Sequence, residues 1–174
     1  MQLPSLLGHV QELLALIFNA QQTGRAGATN SASVHRHQGA RVQPADAIID
    51  SFFRARKYLG SHDRRFIAET TYGTLRHLRR CEYVVLSSIP RPSIPRGDRT
   101  LLLAVAYLLH VERQPLSPVD GLIGKFTSKE IRQQLPEILS RFSSFDLPIP
   151  DDPVERLALQ YSFPDWMVRR LREE

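Results

Sequence analysis

The strongest constraint on the fold is the run of residues 101–109, which contains no charged side chain and follows a group of prolines. Its helical projection has no polar side, which is typical of a helix that is buried all round. We predict this helix over residues 99–113, with Asp98 as its N-cap. A helix of this kind requires other helices or a sheet to cover it.

Amphipathic periodicity predicts the covering elements in the first half of the chain. Apolar residues recur at helical spacing over residues 4–21 and again over 44–59. We expect Gly60 to end the second helix in the left-handed conformation. A third, long helix is predicted over 62–88, capped by Ser61 and Asp63 and followed by prolines that stop it.

Shorter helices are predicted in the second half. Thr127 and Glu130 have the spacing of a capping box, which predicts a helix to about residue 142. Asp152 followed by Pro153 predicts the start of a helix that ends near residue 161, and a last helix contains Trp166. Since no segment shows a convincing strand alternation, the predicted fold class is all-α.

Composition limits the setting in which such a chain works. Cys81 is the only cysteine, so no disulfide can form within the chain and a reducing compartment is expected. The apolar stretch at residues 13–18 is too short to cross a bilayer and has no basic segment before it, which argues against a signal peptide or a membrane span. We therefore expect a cytoplasmic protein with no membrane partner.

Positive charge is concentrated in one part of the chain. The net charge is +5, yet residues 23–113 alone contain 15 Lys and Arg against 7 Asp and Glu. A basic region of this kind attracts polyanions through phosphate contacts and counterion release.

The long predicted helix separates into an apolar side and a cationic side. Its predicted inner side carries Ile67, Thr71, Thr74, Leu78, Cys81 and Val85. Guanidinium groups that alternate with aromatic rings on the other side suit RNA, although a solvated surface has the same pattern. Arg64 is predicted to be structural and to pair with a carboxylate. The candidate RNA-binding residues are Arg54, Arg56, Lys57, Arg65, Tyr72, Arg76, Arg79, Arg80 and Tyr83.

Catalytic and cofactor motifs are missing from the sequence. It contains no glycine-rich phosphate-binding loop, and His35 and His37 lack the further ligands of a metal site. Cys81 falls on the apolar side of its helix and is predicted to be a small core residue. We expect no catalytic residue, no metal and no cofactor on this chain.

Two segments resemble a known family. Residues 61–76 fit the pattern S-x-D-R-x-x-(V/I)-x-E-x-x-Y-G-x-L-R, and residues 157–168 read L-A-L-Q-Y-S-F-P-D-W-M-V. Both are similar to the NusB-like N-terminal domain of the Sun/Fmu (RsmB-type) ribosomal RNA cytosine methyltransferases. The resemblance covers residues 44–174. It departs from the family in residues 114–147, where the usual Val-Asn-(Ala/Gly)-Val-Leu-Arg stretch is missing.

This resemblance implies a NusB-like helical bundle that binds ribosomal RNA for a 16S rRNA 5-methylcytosine methyltransferase. S-adenosylmethionine and the catalytic cysteines would belong to a separate methyltransferase domain, which this chain lacks. The implied organisation is an amphipathic N-terminal helix (1–22), a flexible linker or insertion (23–43), the RNA-binding bundle (44–160) and an exit segment towards the methyltransferase domain (161–174).

Two other functions remain open at this point. One is a free-standing NusB-type transcription antitermination factor, against which the exit segment argues. The other is a helical adaptor whose arginines bind an acidic protein. A steep dependence of binding on salt would favour RNA over the adaptor.

Overall fold

The computed structural model describes residues 2–26, 43–89, 94–115 and 121–173, and it is all-helical over these residues. The α-helices are α1 (Leu3–Ala26), α2 (Ala45–Ala55), α3 (Ser61–Arg76), α4 (Leu78–Ser88), α5 (Arg96–Ala106), α6 (Lys129–Ser144), α7 (Pro153–Tyr161) and α8 (Asp165–Glu173). A π-helical turn, Tyr107–Val111, continues α5, and a 3-10 turn, Leu122–Lys125, precedes α6.

The centre of the fold is α5, as the apolar run predicts. Every residue from 101 to 110 is buried, and α1, α3, α4 and α6 pack around this helix. Two apolar clusters meet on it: one is shared with α4 and α6, and the other with α1, α2 and α3. The helix begins at Arg96, three residues earlier than predicted, because Pro95 and not Asp98 is its N-cap.

The N-terminal helix belongs to the same core. Val10, Leu13, Leu14 and Ile17 are completely buried, and they contact apolar residues of α2 and α3. The helix extends to Ala26, so the predicted linker at 23–43 begins too early. The rest of that linker, including His35 and His37, lies outside the described residues.

The turn between α2 and α3 differs from the prediction. Helix α2 ends at Ala55 instead of residue 59, and Gly60 has φ −68° and ψ 167°, which is not left-handed. Gly60 is the N-cap of α3, with no side-chain cap bond. Arg64 stabilises the turn, since its Nε donates to the Leu59 carbonyl at 2.8 Å. Arg64 is therefore structural as predicted, but its observed partner is a carbonyl group and not a carboxylate.

The predicted long helix is interrupted at His77. This residue has φ −105° and ψ 23°, and its ring stacks on Tyr107 with centroids 6.0 Å apart. Before the interruption α3 packs against α1 and α5, whereas after it α4 packs against α5, α6 and α7. The interruption divides the predicted cationic stripe between two helices with different neighbours.

Asp98 links two helices that are distant in sequence. Its carboxylate is completely buried and accepts hydrogen bonds from the backbone N–H groups of Thr127 and Ser128, both at 2.8 Å, and from the Thr127 hydroxyl at 2.9 Å. Asp98 thus holds the start of α6. The N-cap of α6 is Ser128, which accepts from the Ile131 N–H, and not Thr127 as predicted.

The predicted start of α7 is confirmed. Asp152 accepts from the N–H groups of Val154 and Glu155, and Pro153 occupies the first helical position. None of the helices in the described part of the chain combines the length and the hydropathy that a bilayer crossing needs.

Candidate nucleic-acid interface

Burial confirms the two sides predicted for residues 64–86, except that Leu78 of the inner side is only partly buried. Ile67, Thr71 and Thr74 of α3 and Cys81 and Val85 of α4 are buried. The outer residues Arg65, Tyr72, Arg76 and Tyr83 are exposed, while Arg79 and Arg80 are half-buried. The structure therefore separates the nine candidate residues by their surroundings.

Helices α2 and α3 present one shared surface. The Tyr72 hydroxyl donates to Asp46 near the start of α2 at 2.5 Å, and the Arg64 guanidinium lies 6.0 Å from the ring centroid of Phe53 near the end of α2. The two helices are thus antiparallel, which brings the end of α2 beside the first turns of α3. We call the exposed candidates of α2, α3 and the turn between them the α2–α3 face: Arg54, Lys57, Arg65, Tyr72 and Arg76.

Two arginines of the α2–α3 face are held only by exposed ion pairs within their own helices. Arg54 pairs with Asp50, and the Arg65 Nε lies 2.8 Å from Glu69, in both cases four residues away. The Glu69 hydrogen bond raises the pKa of Arg65. Such pairs contribute little to stability because water surrounds both charges, so an anionic ligand can compete for these arginines.

The other three members are Lys57, Arg76 and Tyr72. Lys57 and Arg76 are exposed and make no hydrogen bond or ion pair with the described residues. Tyr72 is held by Asp46, whose hydrogen bond raises the pKa of the phenol. The face also contains the carboxylates Asp46, Asp50 and Glu69, so only part of its positive charge is uncompensated.

Arg56 is built into the core region. Its guanidinium lies 3.7 Å above the Phe52 ring centroid and 2.5 Å from Glu12 of α1, and its side chain is only 20% exposed. It joins α1 to the end of α2. The structure thus gives this candidate a structural role within the chain.

The α4 candidates are held by the C-terminal part of the molecule. Arg79 donates to the Asp165 carboxylate at 2.5 Å and to the Phe163 carbonyl at 3.1 Å. The Arg80 Nε donates to Nε2 of His110 at 3.0 Å, and the Tyr83 ring meets Phe145 edge-on at 6.1 Å. These three residues therefore contact distant parts of the chain, whereas Arg54 and Arg65 of the α2–α3 face pair only within their own helices.

Sequence reasoning missed His110, which is 2% exposed within the π-helical turn. Burial, followed by the charges of Arg80 and Arg113, lowers its pKa to about 4, so the ring is neutral at pH 7 and accepts the Arg80 hydrogen bond. Its Nδ1 is buried, and a backbone hydrogen bond with Phe142 only partly offsets the lowering of the pKa. The available signal was a lone histidine at the end of an apolar run, which is a weak one.

Cys81 is a buried core residue, as predicted. Burial raises the pKa of its thiol to about 12, so the sulfur remains protonated at neutral pH. A protonated and buried thiol is a poor nucleophile. In the described ranges, no group of three or more His, Cys, Asp and Glu side chains could hold a metal ion.

Sequence reasoning also missed a cluster of exposed rings at the end of the chain. Tyr161, Phe163 and Trp166 appeared only as part of a family-like segment, and nothing in their spacing predicted that all three are at the surface.

No protein-family model, curated protein or solved structure matches this chain.

Proposed function

We propose that the chain is an RNA-binding domain that contacts RNA phosphates through the α2–α3 face. In this proposal the helices form a NusB-like bundle. The domain serves a 16S rRNA cytosine methyltransferase whose separate catalytic domain binds S-adenosylmethionine. The chain itself then supplies affinity and orientation for the RNA and no chemical step.

The observation that carries the proposal is that Lys57 and Arg76 are unpaired within the described part of the chain. Both are exposed cations without a partner among the described residues, and they lie on the same face as the exposed ion-paired Arg54 and Arg65. A phosphate backbone offers the negative charges that this face leaves unmatched. Arginine also binds phosphate through paired N–H groups, which suits Arg76.

The number of cations on the face that are free to contact phosphate sets the expected salt dependence of binding. If Lys57 and Arg76 each neutralise one phosphate, the logarithm of the affinity for single-stranded RNA falls with the logarithm of salt concentration with a slope of about −1.4. Displacement of the two exposed ion pairs would steepen the slope to about −2.8. A flat dependence would contradict the proposal and favour the adaptor function.

Charge reversal tests which surface is used. Arg76→Glu should lower the affinity for a single-stranded 16S rRNA fragment by about tenfold and reduce the salt slope by about 0.7, since one phosphate contact is lost. Arg132→Glu is the matched control, because Arg132 is an exposed cation on α6 and its reversal changes the net charge equally. Circular dichroism checks that both variants remain helical.

Two results would count against the proposal. An equal loss in both variants would mean that only net charge matters, and no loss in Arg76→Glu would exclude the α2–α3 face. A comparison of the 16S fragment with a transfer RNA of similar length tests the ribosomal target, for which the proposal requires the tighter binding to the 16S fragment.

A further inference from the structure

The turn between α7 and α8 exposes three aromatic rings. Trp166 is 67% exposed, Tyr161 53% and Phe163 41%. Side chains of this size usually bury most of their surface, and a group of exposed rings marks a binding surface. We call these three residues the aromatic turn.

The aromatic turn is held in place by α4. The backbone N–H of Arg80 donates to the Ser162 hydroxyl at 3.2 Å, and the Arg79 guanidinium binds both the Phe163 carbonyl and Asp165. Ser162 has φ +56°, a left-handed conformation that a non-glycine residue keeps only where its surroundings hold it. The three rings are therefore presented by a fixed backbone.

The geometry of the rings suits flat ligands. Tyr161 and Phe163 are nearly parallel, with centroids 6.2 Å apart and planes inclined by 28°. Below them Ala158, Leu159 and Val168 are buried, so the apolar residues that anchor the two helices are already covered. The large apolar side chains that remain exposed on these two helices and their turn are the three rings and Leu171.

Positive charge lies beside the rings. Arg169 is three residues after Trp166 on α8, so these two side chains are neighbours on the helix surface, while Arg172 is three residues further on and about 120° around the helix from Trp166. Both are exposed, and neither has a hydrogen bond or ion pair among the described residues. Helix α8 contains two carboxylates: Asp165 is already engaged by Arg79, and the exposed Glu173 has no hydrogen bond or ion pair among the described residues.

We infer that the aromatic turn binds single-stranded nucleic acid, with bases stacking on Trp166 and on Tyr161 or Phe163 and with phosphates at Arg169 and Arg172. Exposed rings next to cationic side chains are the combination by which proteins hold unpaired bases. An apolar protein partner fits less well, since uncompensated arginines border the surface. This inference rests on the proposed RNA-binding function and adds a second contact region to it.

Trp166 provides a direct measurement, because it is the only tryptophan of the chain. Oligouridylate added to the 174-residue chain should quench the tryptophan fluorescence as a base stacks on the indole. A duplex RNA of the same length should quench much less, since its bases are already stacked on one another. No quenching by the single strand would overturn the inference.

Two variants separate stacking from general apolar contact. Trp166→Ala should lower the affinity for labelled oligouridylate by about tenfold, within the range found for the loss of one stacked base. Leu171→Ala should leave it unchanged, since Leu171 is 61% exposed on the same helix but has no aromatic face. Equal losses would assign the surface to an apolar partner. A concentration-dependent dimer that Trp166→Ala dissociates would assign it to a second copy of the chain.

The two proposals fail separately. RNA binding that is sensitive to Arg76→Glu but causes no change in Trp166 fluorescence would retain the proposed function and reject the aromatic turn. Quenching that is sensitive to Trp166→Ala but not to Arg76→Glu would retain the aromatic turn and reject the α2–α3 face.

Discussion

Arg65 on α3 and Arg79 on α4 have the same place in the predicted cationic stripe but different surroundings. Arg65 is paired only with Glu69 one helical turn away, and its side chain is 77% exposed. Arg79 binds Asp165 and the Phe163 carbonyl from a distant part of the sequence, and its side chain is 31% exposed. One arginine is available to a ligand, and the other joins two parts of the fold.

The difference follows from the neighbours of each helix. Helix α3 packs its inner side on α1 and α5. Among the described candidates on its outer side, Tyr72 alone bonds to another helix, through Asp46 of α2. Helix α4 has α7 against it, and the turn before α8 reaches Arg79 and Arg80. Cationic periodicity therefore predicts exposure only where no later segment returns to cover the helix.

The largest expected effect is a loss of stability when the close contact between Gly73 of α3 and Tyr107 is disturbed. A Cβ atom on Gly73 would lie 2.0 Å from the Tyr107 ring, so Gly73→Ala must displace a ring whose hydroxyl is bonded to Glu112. We expect the free energy of unfolding to fall by about 3 kcal/mol, the upper end of the usual range for an overpacked core. Urea titration measures this.

Gly60→Ala is the control for this prediction. Gly60 is the N-cap at the other end of α3, with φ −68° and open space around its Cβ position. Alanine restricts the unfolded chain but is a poorer N-cap than glycine, so the net change should stay below about 1 kcal/mol. If both variants lose the same stability, the close approach of Tyr107 is not what holds α3.

A smaller effect, a loss of stability at low pH, tests the contact between His110 and Arg80 of α4. The pKa of His110 is lower in the folded chain, about 4, than its ordinary value of 6.5, so the unfolded chain takes up the proton first as pH falls. Stability from this group is complete above pH 6.5 and decreases towards pH 4. The loss between pH 7 and pH 5 should be about 2 kcal/mol. Burial, Arg80 and Arg113 oppose protonation, while Asp146 and a backbone hydrogen bond with Phe142 favour it.

His110→Gln isolates this contribution. The glutamine oxygen can still accept from Arg80 but does not titrate, so the difference in unfolding free energy between the two proteins should change with pH by that amount. A difference that is constant from pH 7 to pH 5 would mean that His110 is not held neutral by its surroundings.

The smallest effect compares the two arginines directly. Arg79→Ala should reduce the free energy of unfolding by about 1 kcal/mol, since a partly buried pair and a carbonyl bond are both lost. Arg65→Ala should not change it measurably, because Glu69 is then simply solvated. Asp165→Ala should lose less than Arg79→Ala, because Arg79 keeps its bond to the Phe163 carbonyl, and the double variant should lose less than the sum of the two. Similar losses for Arg65 and Arg79 would remove the distinction drawn between α3 and α4.

Part of the candidate site could be predicted from local sequence. The inner side of residues 64–86 follows from helical periodicity alone, and burial confirms it except at Leu78, which is partly buried. The interruption at His77 could not be predicted in this way, since the side-chain pattern remains in phase across it. Which arginines bind other groups of the protein was equally hidden, because Asp165 and His110 are far from α4 in sequence.

The sequence by itself determined that the chain forms helices, that residues 101–109 are buried, and where α7 begins. These properties depend on neighbours within one or two turns: helical periodicity, a cap and a proline. The tertiary structure alone decided that Asp98 holds the start of α6, that Gly73 admits Tyr107, and that the aromatic turn is fixed by α4. Each of these joins residues that are far apart in the chain, and a local pattern carries no information about which distant groups will meet.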